Sequence, residues 1–270
     1  MSLFKTFKTT RLLQITMSSL FSVISTWSLA GALSQGEQDQ VLNIIQIFKQ
    51  QDTDEISQHI RYPLKREQPI PAVQDAAEMQ VRFNEVFDPN FVQHIASSSL
   101  SQWSSMGWRG VMFENGLLWL DEDKIIAVNH SNDQEQKRKQ ELLNQQKANI
   151  HPSLRNFQQP ELVIQTQSFM VRIDQLSDGS YRYASWKKGK PQTTPPDLIL
   201  KSGQVQFNGS GGNHAFIFQN GKSKNAHYYI VERNVMGAQE TPEATLSIMK
   251  GNQEILKQSA NLVDENNLSF

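Results

Sequence analysis

Apolar residues recur at a helical period in the first half of the chain and at a strand period in the second. Ser34-Gln35-Gly36-Glu37 has the spacing of a capping box, in which the serine oxygen and the glutamate each satisfy a free N–H of the first turn. Leu42, Ile45 and Phe48 follow at helical spacing. A second short helix is expected over residues 55–60. Tyr62-Pro63 ends it, because proline removes a donor and disfavours helix in the residue before it. Pro69-Ile70-Pro71 continues an extended link. Residues 74–87 give the clearest helix, with Ala76, Met79, Phe83 and Val86 on one face and Asp75, Glu78, Arg82 and Glu85 facing away. Asp88-Pro89 supplies a cap and a first-turn proline for a further helix, whose apolar side is Phe91, Val92 and Ile95.

The period then changes. Residues 108–113 alternate as a strand, Asn115-Gly116 gives a type I′ hairpin signal, and residues 117–120 return. Asp121-Glu122-Asp123 turns the chain into residues 125–128, which predicts a three-stranded meander. Residues 131–160 are rich in Asn, Gln, Glu, Lys and Arg, with Leu142-Leu143 as the apolar pair of residues 131–147, and read as a solvated, partly helical linker. Beyond it, eight candidate strands cover 162–174, 181–186, 198–200, 204–207, 215–219, 228–232, 244–249 and 255–260. Turns fall at Asp178-Gly179, Ser202-Gly203, Asn220-Gly221 and Gly251-Asn252. The expected class is α+β: N-terminal helices packed on an antiparallel sheet, cone-like, followed by a separate all-β small barrel or sandwich.

The chain's start changes the picture of where this fold works. Lys5, Lys8 and Arg11 precede a mostly apolar stretch from Leu12 to Leu29, closed by Ala30-Gly31-Ala32. A basic start, an apolar middle and small residues at −3 and −1 make a secretory signal, with cleavage expected after Ala32. Gln14, Thr16 and several serines interrupt the stretch, so no stable membrane anchor is expected after cleavage. The division is then 1–32 signal peptide, 33–130 α+β domain, 131–160 linker and 161–264 all-β domain.

Removing the signal takes three basic residues and no acidic one. That leaves 23 basic against 27 acidic residues, a net charge of −4. Such a balance lacks the electrostatic footprint of a nucleic-acid binder. Cysteine is absent, so the domains rely on packing and no lipid-anchoring cysteine is present. An exported chain of this size without disulfides points to the periplasm of a Gram-negative bacterium, or to secretion from one.

The run from Trp103 to Phe113, closed by Asn115-Gly116 and Trp119, resembles exported bacterial members of the nuclear transport factor 2-like (cystatin-like cone) superfamily over residues 34–130. The resemblance implies an open-mouthed cone and a range of roles, from isomerase and dehydratase to plain binding or accessory domain. The second half is similar in outline to the small periplasmic β-barrels of C-type lysozyme inhibitors, in size, strand count and compartment.

Candidate chemistry is sparse. Trp103, Trp108, Arg109, Phe113 and Trp119 could line a cone mouth. Arg61, Tyr62, Lys65 and Arg66 form a basic patch around Pro63. In Tyr181-Arg182-Tyr183-Ala184-Ser185-Trp186, alternation puts Arg182, Ala184 and Trp186 on one face. Arg182 and Trp186 there have the composition of a protein-binding hot spot beside the Lys187–Lys190 tip. Asn213 and His214 follow a glycine-rich turn that lacks the Gly-Lys-Ser/Thr of a phosphate-binding loop. The six histidines are scattered without zinc-ligand spacing. His94 with Asp88 or Glu85 is the one acid–base pair to consider. These observations predict no metal, no cofactor and no catalytic residue. The first expectation is a binding protein acting on a protein or cell-wall-associated partner, such as an inhibitor or immunity-type protein against a cell-wall-active enzyme. The second is a ligand-binding or weakly catalytic cone domain carrying a β accessory module.

Overall fold

The switch in period coincides with a change from helices over a four-stranded sheet to a closed eight-stranded barrel. The computed structural model describes residues 31–209, 211–222, 226–235 and 240–263. Residues 1–30, most of the segment expected to act as a secretory signal, lie outside them. In the first part, Ser34 Oγ accepts from Glu37 N at 3.3 Å while Glu37 Oε2 accepts from Ser34 N at 2.7 Å, opening α1 (Gln35–Gln50). Asp52, Asp75 and Asp88 cap α2 (Thr53–Gln58), α3 (Ala76–Val86) and α4 (Pro89–Ala96). Each side chain satisfies N–H groups that the helix leaves free. Val41, Ile44, Phe48, Met79, Phe87 and Ile95 join Phe113, Leu118 and Leu120 in one core. The sheet under these helices runs β1 (Trp103–Ser105), β2 (Val111–Phe113), β3 (Leu118–Asp121), β4 (Lys124–Val128), antiparallel and in chain order.

Two local expectations change here. Residues 107–109 form a single 3₁₀ turn rather than a strand, which carries Trp108 outward. The β2–β3 hairpin is where Asn115-Gly116 put it, but Phe113 pairs with Leu118 across a four-residue loop. Positive φ falls at Glu114 (42°) and Gly116 (91°), not at Asn115, so the turn is not type I′.

Residues 131–160 are the main correction. They are not a solvated tether. Asn132 caps α5 (Asp133–Ala148), whose few apolar groups hide it from a periodicity search. It docks through charge: Glu135 pairs with Arg66 at 2.6 Å and Arg138 with Glu85 at 2.7 Å. Arg82 and Glu85, expected to face solvent, are therefore buried together, with Arg82 Nη2 3.2 Å from Glu85 Oε1. Leu143, Ile150, Leu154 and Phe157 then form a second small core with Ala184 and Trp186 on the outside of the β domain.

That domain is a barrel, not a sandwich. Its strands are β5 (Gln159–Thr166), β6 (Phe169–Gln175), β7 (Tyr181–Lys187), β8 (Leu198–Phe207), β9 (His214–Asn220), β10 (His227–Arg233), β11 (Ala244–Lys250) and β12 (Gln253–Leu262). Each pairs antiparallel with the next, and β12 pairs back with β5 to close the ring. The count of eight matches the expectation through two offsetting differences. Residues 162–174 split into β5 and β6 at Gln167-Ser168, a turn without Gly or Pro. Residues 198–207 form one strand, with Ser202 (φ 59°) at an irregularity instead of a turn. Ile164, Ile173, Tyr183, Phe216, Phe218 and Leu246 fill the interior, while Lys201, Gln204, Gln206 and Lys257 are exposed. Gly203 makes the filling fit, since a Cβ there would lie 2.1 Å from Phe218 Cε1. An eight-stranded barrel is just wide enough for such side chains, so a ligand would meet its mouth and not its axis.

Candidate functional site

The strand register places one open end of the barrel at the starts of β5, β7 and β9 and the ends of β10 and β12. A loop from the helical part lies against this end. Backbone bonds between Leu64 and Val73, at 2.8 and 2.9 Å, close the loop's base, and Arg82 Nη1 donates to Pro71 O at 3.0 Å. Arg66 ties the loop to α5 and β4. Its Nε and Nη2 donate to the two Glu135 oxygens at 2.6 and 2.7 Å, and it also bonds the carbonyls of Val128 and His130. The loop is thus held from three sides.

Between loop and mouth is a cleft of about 500 Å³. The loop contributes Lys65, Gln68, Ile70, Pro71 and Ala72. The barrel contributes Glu161, Leu162, His214, Arg233 and Leu262, and Gln146 of α5 reaches the same space. The volume falls within the range of small-molecule sites, and the lining is divided about evenly between polar and apolar residues.

Glu161 follows Pro160 at a register shift in the β5–β6 pairing. Burial, and then the Asp174 carboxylate, push its carboxyl up to about 7. It is largely protonated below neutral pH and charged above it. The same burial and the Glu161 charge raise Tyr181, whose ring stacks edge-on with Phe216 at 4.9 Å. Phe216 in turn meets His214 at 5.1 Å. His214 Nδ1 lies 2.8 Å from Gly212 O, which leaves Nε2 as its second polar atom. Arg233 uses Nη1 to donate to the carbonyls of Asn234 and Glu243 at 2.6 and 2.8 Å. Lys65 is exposed and has no hydrogen-bond or ion-pair partner among the described residues.

The residues singled out from sequence are dispersed. Trp103 is core, 4% exposed, with its Nε1 donating to Ser98 Oγ at 3.1 Å. Trp108 is 71% exposed and Arg109 is exposed beside it. Trp119 is half-buried opposite Met112. These groups line no common mouth, because the 3₁₀ turn at 107–109 breaks the alternation that would have aligned them. The Arg182/Trp186 face is also corrected. It does point out of the barrel, but the α5 segment covers it, leaving Trp186 at 0% and Arg182 at 3% exposure. Trp186 Nε1 donates to Thr194 O at 2.9 Å, and Arg182 Nη2 to Asp174 Oδ2 at 2.6 Å. Asn213 is a wall support, its Oδ1 accepting from Val235 N at 2.7 Å, while His214 lines the cleft. His94 pairs with Glu114 at 3.0 Å rather than with Asp88 or Glu85, and Asp88 is taken by His130.

Glu161 and Arg233 were not singled out from sequence. The available signal was a lone carboxylate entering the apolar run Pro160 to Ile164, and a lone cation ending Tyr228 to Val231. Among the described residues no group of three or more His, Asp or Glu side chains is placed to hold a metal ion. No family model, no curated protein and no solved structure matches this chain.

Proposed function

We propose that this chain is an exported binding protein whose cleft at the barrel mouth takes a small ligand. The observation that carries this reading is the cleft of about 500 Å³ between a pinned loop and a filled barrel, in which Lys65 has no partner among the described residues. Export is supported by the basic, apolar and small-residue order of segment 1–32. The helices-then-sheet order keeps the cone-like resemblance of the first part as a working proposal. The test uses an uncharged naphthylamine dye as reporter. Its fluorescence should rise on binding, and Ala72→Trp, which fills the cleft from the loop side, should abolish the rise while preserving the melting temperature. Equal dye binding by Ala72→Trp, or no binding by the unaltered protein, overturns the reading.

A second reading, recognition of a protein or cell-wall-associated partner, is favoured by one observation. Trp108 is 71% exposed beside Arg109 on a one-turn 3₁₀ helix, the residue types that dominate binding hot spots.

A further inference from the structure

Resting on the ligand-binding reading, we propose that the cleft selects a single-headed anionic amphiphile: a carboxylate or phosphate head on Lys65 and Arg233, with an apolar body against Ile70, Leu162, Val235 and Leu262. Three observations carry this. The two cations come from different parts of the same lining, Lys65 from the loop and Arg233 from the end of β10. Neither is neutralised by a carboxylate among the described residues: Lys65 has no partner, and Arg233 touches backbone carbonyls through Nη1, leaving Nε and Nη2 to donate. By contrast Arg66, in the same wall, is consumed by Glu135 and by two carbonyls. A cleft whose charged donors are divided this way, with one used for architecture and two left open, favours an anion at the open pair.

The apolar body follows from the rest of the lining. Ile70 and Pro71 on the loop face Leu162, Val235 and Leu262 at the mouth. The barrel axis beyond is closed by Tyr183, Phe216 and Phe218. The body therefore lies along the cleft rather than down the barrel, which suits a short chain or one ring system. A bare inorganic anion would leave that surface wet, and a cationic head would meet Lys65 and Arg233.

The test is displacement of the uncharged naphthylamine dye at pH 6, where Glu161 keeps its proton. The competitors are decanoate, decyl phosphate, decyltrimethylammonium and inorganic phosphate. Decanoate and decyl phosphate should compete at least tenfold more tightly than decyltrimethylammonium, and inorganic phosphate should not compete. Lys65→Glu should cut the anion preference, read as the ratio of decanoate to decyltrimethylammonium competition in the same variant, at least fivefold. Lys65 is exposed and has no partner among the described residues, so this variant retains the fold. Arg233→Gln gives an independent second reading of the same preference. Equal competition by the cationic amphiphile, competition by phosphate alone, or an unchanged preference in both variants overturns the proposal while leaving dye binding, and so the broader reading, intact. Failure of the dye to bind at all strikes the broader reading instead. Dye binding that appears only in a chain ending at Val263 would assign the cleft to the protein's own acidic tail, Asp264 and Glu265 included, and would overturn a free ligand.

Discussion

Two surfaces of the barrel carry charged residues of the same kinds and treat them in opposite ways. On the outside of β6 and β7, Asp174 accepts from Arg172 Nε at 2.7 Å and from Arg182 Nη2 at 2.6 Å, and all three residues are at most 3% exposed. Arg182 also reaches the carbonyls of Leu154 and Asn156, and Arg172 lies over the Phe157 ring at 5.0 Å. At the mouth, among the described residues, Lys65 has no partner and Arg233 holds backbone only. Burying a charge is costly unless it is paired and hydrogen-bonded, so a completed network marks architecture. An accessible cation left without a partner beside apolar walls is where a ligand can still gain something.

The strongest way to break this contrast is to attack the covered face. Asp174→Ala removes the anion that two buried guanidinium groups share, and removing one partner from such a network costs about 3–5 kcal/mol. Trp186→Ala should cost a similar amount, about 3–5 kcal/mol, through lost contacts and the cavity left under the α5 segment. Guanidinium-induced unfolding measures both. A loss below about 1 kcal/mol in either would mean that the α5 segment does not seal this face, and would reopen Arg182 and Trp186 as a binding surface.

A smaller effect, of opposite sign, is expected at the mouth. Burial raises Glu161 to about 7, so the folded state holds its proton over a pH range in which the unfolded chain has already released it. Stability therefore falls as pH rises from the ordinary glutamate value toward 7. Glu161→Gln removes the ionisable group. It should stabilise the protein at pH 8 by roughly 1–2 kcal/mol, allowing for solvent screening of a partly exposed carboxyl, and change little at pH 4. Melting temperatures of both proteins across that range give the answer. Parallel curves would show that Glu161 ionises freely in the folded protein, and the mouth would then be more open than the cleft described above.

Much of the fold is legible in the sequence, and the residues missed share a physical cause. The caps at Ser34 and Asp88, the core face of α3 and the alternation of β7 follow from local rules, and local rules hold where one face is apolar and the other polar. They fail at α5, because it docks through Glu135, Arg138 and Gln146 rather than through an apolar stripe. That single failure propagates. It turns Arg82 and Glu85 from a solvent face into a buried pair, and Trp186 from an exposed anchor into core. The cleft was illegible for a related reason. Lys65, Glu161, His214 and Arg233 are widely separated along the chain, and only barrel closure and the Arg66–Glu135 tie bring them to one space. Alternation assigns a residue to a face, but it does not say what covers that face.

The finest test uses two tryptophans five positions apart. Trp103 and Trp108 belong to one sequence run and look alike by composition, yet one packs against Phe113 with ring centroids 4.6 Å apart and the other is 71% exposed. Trp108→Ala should change stability by no more than about 0.5 kcal/mol, as for surface substitutions generally. Trp103→Ala should cost several times more, since it empties a core site and removes the donor to Ser98 Oγ. If Trp108→Ala also proves costly, the 3₁₀ turn is packed against something in the folded protein, and its tip is not free to meet a partner. If it is silent in stability but weakens capture of a periplasmic or cell-wall component by about 2 kcal/mol or more, the protein has a second functional surface besides the mouth. Silence in both would return Trp108 to the ordinary exposed apolar residues of a protein surface, which need no function, and leave the barrel mouth as the sole candidate among the described residues.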